Sequence, residues 1–379
     1  MKLSEKVNGI LHSVFCARVM RSYRNEVRSI KRIHPDVLMD VSSETERRHY
    51  DLWRRFDHKL NSDWLRLFNG LVGKEDPRFV PSTVYYGVVE RVLNNCDGSM
   101  YGVEDKNLMS LYAPKKYRAF CVLRYVQGCF FDDDFNPLTD AAAMSALKNY
   151  DGDVVGKVAV GSSGGHSVVL YRNGKNGAKL SKTHELTTEW IKKNTSTYVV
   201  QERLTQEPEV SSLNPASINT CRIMTYRRPW DGMTKVGASM IRIGSGDALV
   251  DNISSGGMSV GIDAAGRLNA TGCDCTYGKI FAHPKTGKAF KGVQIPFFAE
   301  MCNAVIEVAK RVPDCNILGF DVMARSNGVP CIVEINSTSL CAIEVQMSGP
   351  MFGDDTLKMA EWCAANKRFD KFSHLRTWY

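Results

Sequence analysis

Through residue 75 apolar side chains recur every three or four positions. Leu11, Val14, Phe15, Val19, Met20, Tyr23, Val27, Ile30 and Ile33 form one stripe among charged residues, and DLWRRFDHKLNSDWLRLFNGL repeats the pattern up to Gly70, read as a helix stop. The spacing predicts a basic α-helical N-terminal segment over 1–75. Residues 76–150 carry shorter runs, FVPSTVYYGVVERVL and KYRAFCVLRYV, broken by the turn signal Asn94-Asn95-Cys96-Asp97-Gly98, and read as an α/β subdomain.

From residue 151 the period shortens. VVGKVAV, GSSGG and HSVVLYR read as strand, glycine-rich turn and strand, a hairpin. YVVQERL, TCRIMTYR, KVGASMIRIG, NILGFDVMA and PCIVEIN are further strands, whereas PFFAEMCNAVIEVAKRV has helical spacing, a basic end and a stop at Pro313. The predicted class is α+β, with a mainly antiparallel sheet over 151–379.

Composition narrows the function classes. With 379 residues, 44% hydrophobic and 24% charged, the chain can bury a core, which excludes disorder as its main state. No apolar run approaches the roughly 20 residues that cross a bilayer, and the start lacks the pattern of an export signal, so a cytoplasmic location is expected. The twelve cysteines are scattered, which fits reduced thiols; Cys273-Asp274-Cys275 has no second Cys/His pair at zinc spacing and reads as structural. The net charge is +8, and residues 1–60 hold 13 Lys+Arg against 8 Asp+Glu, a local excess of +5. Because aromatic and aliphatic residues recur among those charges at helical spacing, an amphipathic helix packed on the body is favoured over a basic arm touching nucleic acid, anionic lipid or a phosphorylated substrate.

The richest segment is GFDVMARSNGVPCIVEINSTS. It places Asp321 on one strand, a turn at Ser326-Asn327-Gly328, and Glu334 and Asn336 on the next strand, where a spacing of two gives them one face. Two carboxylates and an amide match the oxygen donors that Mg²⁺ prefers. Upstream, Lys157 precedes Gly161-Ser162-Ser163-Gly164-Gly165, a loop whose backbone N–H groups can turn toward a phosphate. It has neither the GK[ST] ending of a P-loop nor a helix-opening GxGxxG.

Together these pieces resemble the ATP-grasp superfamily. Lys106, in Glu104-Asp105-Lys106-Asn107, matches its first phosphate lysine and Lys157 its second; Gln201-Glu202-Arg203-Leu204 matches the adenine hinge, and Asp321, Glu334 and Asn336 the metal set. Between them lie Arg222 in INTCR, Arg242 in MIR and the loop Asp251-Asn252-Ile253-Ser254-Ser255-Gly256-Gly257, which match the arginines and the N-x-x-x-G-G element of the ligases. The wording of QERLTQ, LNPASINTCRIMT and RIGSGDALVDNISSGG looks most like the sugar-transfer-associated branch, related to α-L-glutamate ligases. The match spans residues 104–336.

The resemblance implies an ATP-grasp fold, two α+β subdomains gripping ATP between antiparallel sheets. It implies a carboxylate–amine ligase using ATP and two Mg²⁺ ions, with Mn²⁺ as a substitute, that forms an amide through an acyl phosphate on an amino-acid or sugar-acid substrate in polysaccharide or natural-product synthesis. Arg222, Arg242, Asn252, Gly256 and Gly257 fall at the reacting centre. Ser162, Ser163, Gly164 and Gly165 fall over the phosphates, with His166 as either a phosphate contact or a turn cap. Glu209 matches the ribose-binding acid, with Glu207 as its rival. The partners implied are small-molecule carboxylates and amines and no nucleic acid; a peripheral contact with glycan-assembly enzymes and a homodimer stay open. The alternative is a kinase of the same fold acting on a hydroxyl of a sugar-like molecule.

Overall fold

The computed structural model describes residues 3–94, 99–161, 167–338 and 340–366. The N-terminal stripe folds as expected into α1 (Leu3–Ile33), α2 (Ser43–Trp53) and α3 (Asp63–Val72), with Ser42 capping α2 through its hydroxyl. Gly70 is not the stop. It lies inside α3, where a Cβ would fall 1.7 Å from the Val37 carbonyl oxygen, and the helix ends instead at Gly73, whose φ of 75° is left-handed. FVPSTVYYGVVERVL, read as mixed structure, is helical: α4 (Ser82–Val84), a π-turn (Tyr85–Val89) and α5 (Glu90–Leu93) run on continuously, followed by α6 (Ser99–Glu104) and α7 (Met109–Tyr112).

The first sheet follows. Its strands are β1 (Cys121–Val126), β2 (Cys129–Phe131), β3 (Pro137–Leu138), β4 (Val154–Val158), β5 (Val169–Asn173), β6 (Lys179–Leu180) and β7 (Thr197–Glu202), in the order β3-β2-β1-β7-β4-β5-β6. The expected hairpin is β4–β5, with Val154 opposite Tyr171. Helices α8 (Asp140–Asn149) and α9 (Thr188–Asn194) cover one face through Ala143, Leu147 and Ile191.

After the short α10 (Pro208–Ser211), the second sheet takes β8 (Cys221–Arg227), β9 (Thr234–Ile243), β10 (Met258–Ile262), β11 (Leu268–Cys273), β12 (Lys279–Ile280), β13 (Ile317–Ala324) and β14 (Pro330–Asn336). Its order is β12-β11-β10-β9-β8-β13-β14, every pairing antiparallel. The β10–β11 hairpin escaped the sequence reading because small and polar residues, Gly261 and Gly272 among them, dilute its alternation. Helix α11 (Phe298–Ala309) packs on one face with Ile223, Ile241 and Phe320; α12 (Ala342–Val345) and α13 (Thr356–Ala365) close the C-terminal end.

The other face meets the helical layer. Met224, Tyr226, Met240 and Ile317 share one core with α1, α3 and the Ser82–Leu93 helices. Strand alternation puts Arg222, Arg242 and Asp321 on that same face, further along. The N-terminal helices therefore roof the charged part of the sheet as well as its apolar part. Among the described residues no helix is long and apolar enough to cross a membrane, and the cysteines are free thiols; Cys96 lies outside those residues.

Candidate active site

One cavity of about 960 Å³ opens between the two sheets and under the helical layer. Sheet one contributes Lys157 from β4 and Gln201 from β7, each 7% exposed. Lys157 is buried in a strand that pairs with β7, and burial, joined by the nearby Lys106 charge, pulls its ammonium pKa down to about 8. Lys106 comes from the loop after α6; its backbone N–H donates to Ala159 O and its Nζ lies 2.9 Å from Glu334 Oε1.

Sheet two supplies the dense charge cluster. In register, Arg222 on β8 faces Asp321 on β13, and Asp321 faces Glu334 on β14. Arg222 Nε donates to Asp321 Oδ1 at 2.5 Å and Nη2 to Oδ2 at 3.1 Å, while Arg242 Nη2 closes on Oδ2 from β9. Burial pushes the Asp321 pKa up, but the two guanidiniums outweigh it and hold the carboxyl below its usual range. Arg242 also donates from Nη1 to Asn252 Oδ1 at 3.2 Å, which ties the loop after β9 to the cluster.

That loop has a support the sequence reading missed. Asp251 is buried and accepts the Thr220 N–H at 2.8 Å and its hydroxyl at 2.5 Å, which anchors the loop beside the start of β8. Gly256 has φ 86°, and a Cβ on Gly257 would fall 2.5 Å from Asp251 O, so both positions require glycine. Asn252 lines the cavity; the two glycines shape the turn behind it. A second missed support is Glu104, whose Oε1 accepts from the backbone N–H and hydroxyl of both Ser337 and Thr338, fixing the turn that follows Asn336. Its partners lie 233 and 234 positions away, so no local pattern could reveal it.

The remaining expected residues divide. Glu202, Arg203 and Leu204 line the cavity; Glu202 Oε1 accepts the Phe120 N–H at 2.9 Å and Arg203 pairs with Asp153 at 3.0 Å. Glu209 is not brought to the cavity wall: it is 45% exposed and paired with Lys288 at 3.0 Å. Its rival Glu207 caps α10, accepting the N–H groups of Glu209 and Val210. Ser162, Ser163, Gly164, Gly165 and His166 lie outside the described residues.

The donor set suits a hard cation in chemistry. Asp321 and Glu334 stand opposite each other, and Asn336 donates its amide N–H to Gly319 O at 3.4 Å, leaving Oδ1 as its acceptor atom. Among the described residues no group of three His, Cys, Asp or Glu side chains gathers, so any metal site here is two carboxylates and an amide, already neighboured by Lys106, Arg222 and Arg242.

No curated protein matches the sequence. Solved structures similar to it include an L-amino acid ligase from Bacillus licheniformis (9% identity, TM-score 0.35, 62% of this chain and 40% of that one). A biotin carboxylase–β-γ-ATP complex from Campylobacter jejuni is also similar (11%, 0.40, 72% and 48%), as is a D-alanine–D-alanine ligase from Bacillus anthracis (11%, 0.37, 70% and 68%). The chain spans about half the length of the first two or less. The profile described as sugar-transfer associated ATP-grasp matches residues 111–352, and with well over half its length covered the chain belongs to that family.

Proposed function

We propose that the protein is an ATP-dependent carboxylate–amine ligase that makes an amide through an acyl phosphate. The observation that carries this reading is the convergence of Lys106, Lys157, Arg222 and Arg242 with Asp321, Glu334 and Asn336 on one cavity. Lys106, Lys157, Arg222 and Arg242 outnumber the carboxylates Asp321 and Glu334, so the cluster is net positive and, with Mg²⁺, would oppose the charge of a triphosphate and an attacking carboxylate; phosphoryl transfer is governed by position and electrostatics rather than by a protein nucleophile.

Lys157 would meet the phosphates from the first sheet and Lys106 from the loop facing it. Gln201 and the Glu202–Leu204 segment would hold the base. Arg222 and Arg242, their guanidiniums fixed by Asp321, would orient the acid and the acyl phosphate formed from it, with Asn252 beside them. Asp321, Glu334 and Asn336 would hold Mg²⁺, which when bound neutralises charge on the transferring phosphoryl group. With Asp321 bonded to both arginines and Glu334 to Lys106, these side chains keep their orientation before substrate arrives, which lowers the reorganisation needed during the reaction.

The test is ATP consumption with Mg²⁺ against a panel of carboxylates, amino acids and sugar acids, with hydroxylamine present to trap an acyl phosphate and Glu334→Ala as the blank. Carboxylate-dependent release of ADP and phosphate with a hydroxamate supports the ligase. ADP without phosphate, alongside a stable phosphorylated product, replaces it with a kinase.

A further inference from the structure

The cavity that holds Arg222 and Asn336 has a wall that the nucleotide reading leaves unused. It is made by Phe15 and Val19 of α1, Tyr86 of the π-turn, and Glu90, Arg91 and Asn94 in and after α5. The same cavity, about 960 Å³ in all, is also lined by Lys157 and Gln201, so this wall and the expected nucleotide contacts face one space.

Three contacts fix this wall against the reacting face. Asn94 Nδ2 donates to Ile317 O and to Ser337 O, both at 2.7 Å, and its Oδ1 accepts the Ile317 N–H at 2.8 Å. The helix end is thereby held to the start of β13 and the end of β14, the strands bearing Asp321 and Asn336. The Tyr86 hydroxyl accepts the Ala342 N–H at 3.0 Å, one residue from Cys341, whose Sγ lies 4.0 Å from Arg222 Nη1. Arg91, 6% exposed, places its guanidinium 4.4 Å from the centre of the Phe15 ring, so α1 sets its position.

We propose that this wall forms the amine subsite and that it takes an α-amino acid as its zwitterion, Arg91 meeting the carboxylate and Glu90 the ammonium group. The assignment rests on the ligase reading above. A planar guanidinium presents the fork that a carboxylate accepts, and the adjacent Glu90 offers the opposite charge to the amine. An amino sugar matches Glu90 but brings no anion to Arg91. In the second half-reaction the amine nitrogen attacks the acyl carbon, the C–N bond forms, and the bond to the bridging oxygen breaks with phosphate taking the electron pair. The ammonium group gives one proton to Glu90 before attack, and the departing phosphate takes the second as the amide forms.

Hydroxylamine is small and carries no carboxylate, so it reaches an acyl phosphate without this subsite. The experiment takes a carboxylate that yields hydroxamate and measures amide formation with the twenty standard L-amino acids, glucosamine and ethanolamine, in the wild type, Glu90→Gln and Arg91→Met. The expected result is amide with at least one amino acid and none with glucosamine or ethanolamine, and an amide-to-hydroxamate ratio that falls about 10²-fold in both variants. Damage to folding lowers both products together and leaves the ratio intact; should Arg91→Met not fold, Arg91→Lys keeps the charge, loses the fork and carries the same expectation. Unchanged ratios in the variants, amide formed as readily from glucosamine, or hydroxamate without amide from any amino acid would each overturn the assignment and leave the ligase standing. Absence of hydroxamate from every carboxylate in the wild type overturns both.

Discussion

Asp321 and Arg222 sit opposite each other on β13 and β8, and the carboxylate spans Nε at 2.5 Å and Nη2 at 3.1 Å while Arg242 closes on its second oxygen. All three side chains are almost wholly buried. Removing the carboxylate leaves two guanidiniums facing each other out of water, so Asp321→Ala is expected to cost about 3–5 kcal/mol in stability. Replacing the whole group, Asp321→Leu with Arg222→Met and Arg242→Met, is expected to recover most of that loss while abolishing activity. Urea denaturation checks both; a loss below about 1 kcal/mol for Asp321→Ala would show that the cluster is not held by charge pairing.

Legibility followed the range of each signal. The Asp321, Glu334 and Asn336 placement was readable because one turn and a period of two decide it locally, and the register matches, with Asp321 opposite Glu334. Lys157 was readable for the same reason, as a strand residue, and it lies on β4. Glu104 and Asp251 were not, because their partners come from other parts of the fold. Glu209 is the reverse case: spacing alone nominates it, and the structure places it after the start of the short helix α10, partly exposed and paired with Lys288. The helical character of 82–93 was obscured by its β-branched and aromatic residues, which favour strands until packing against α1 decides otherwise.

The depressed ammonium of Lys157 predicts a proton-linked nucleotide affinity. With a pKa of about 8 the side chain is charged below that pH and largely neutral above it, whereas a bound polyphosphate favours the charged form and raises the value. ATP binding at pH 7 is then expected to take up almost no proton at this group, and binding at pH 9 to take up close to one. Calorimetric titration in buffers of different ionisation heat reads the difference directly, and Lys157→Met should remove it. Equal uptake at the two pH values would show that Lys157 does not gain a proton when the nucleotide binds.

Two glycines, one inside α3 and one capping its end, predict an order of stability. At Gly70 an added Cβ meets the Val37 carbonyl at 1.7 Å, an obstacle of backbone rather than side chain. At Gly73 nothing lies within 4 Å, and only the left-handed φ of 75° opposes a side chain. Gly73→Ala is therefore expected to cost about 1–2 kcal/mol, and Gly70→Ala about 3 kcal/mol or more, since α3 and the Pro35–Val37 turn must separate. Thermal denaturation of the two variants side by side decides it, and the reverse order would mean that the helical layer yields more easily than its packing suggests.

His49 gives the helical layer a pH dependence. It is fully buried on α2, its Nδ1 2.9 Å from the Pro77 carbonyl, and burial lowers its pKa to about 4. The unfolded chain binds a proton at this residue below about pH 6.5, while the folded protein refuses it until about pH 4. Stability from this group is thus complete above pH 6.5 and declines as the pH falls toward 4, by about 2 kcal/mol at pH 5. His49→Gln, which keeps an amide donor for the Pro77 carbonyl but cannot titrate, is expected to be less stable than the wild type at pH 7 yet to lose about 2 kcal/mol less between pH 7 and pH 5. If the two proteins lose stability in parallel across that interval, the acid sensitivity of the layer lies in another group.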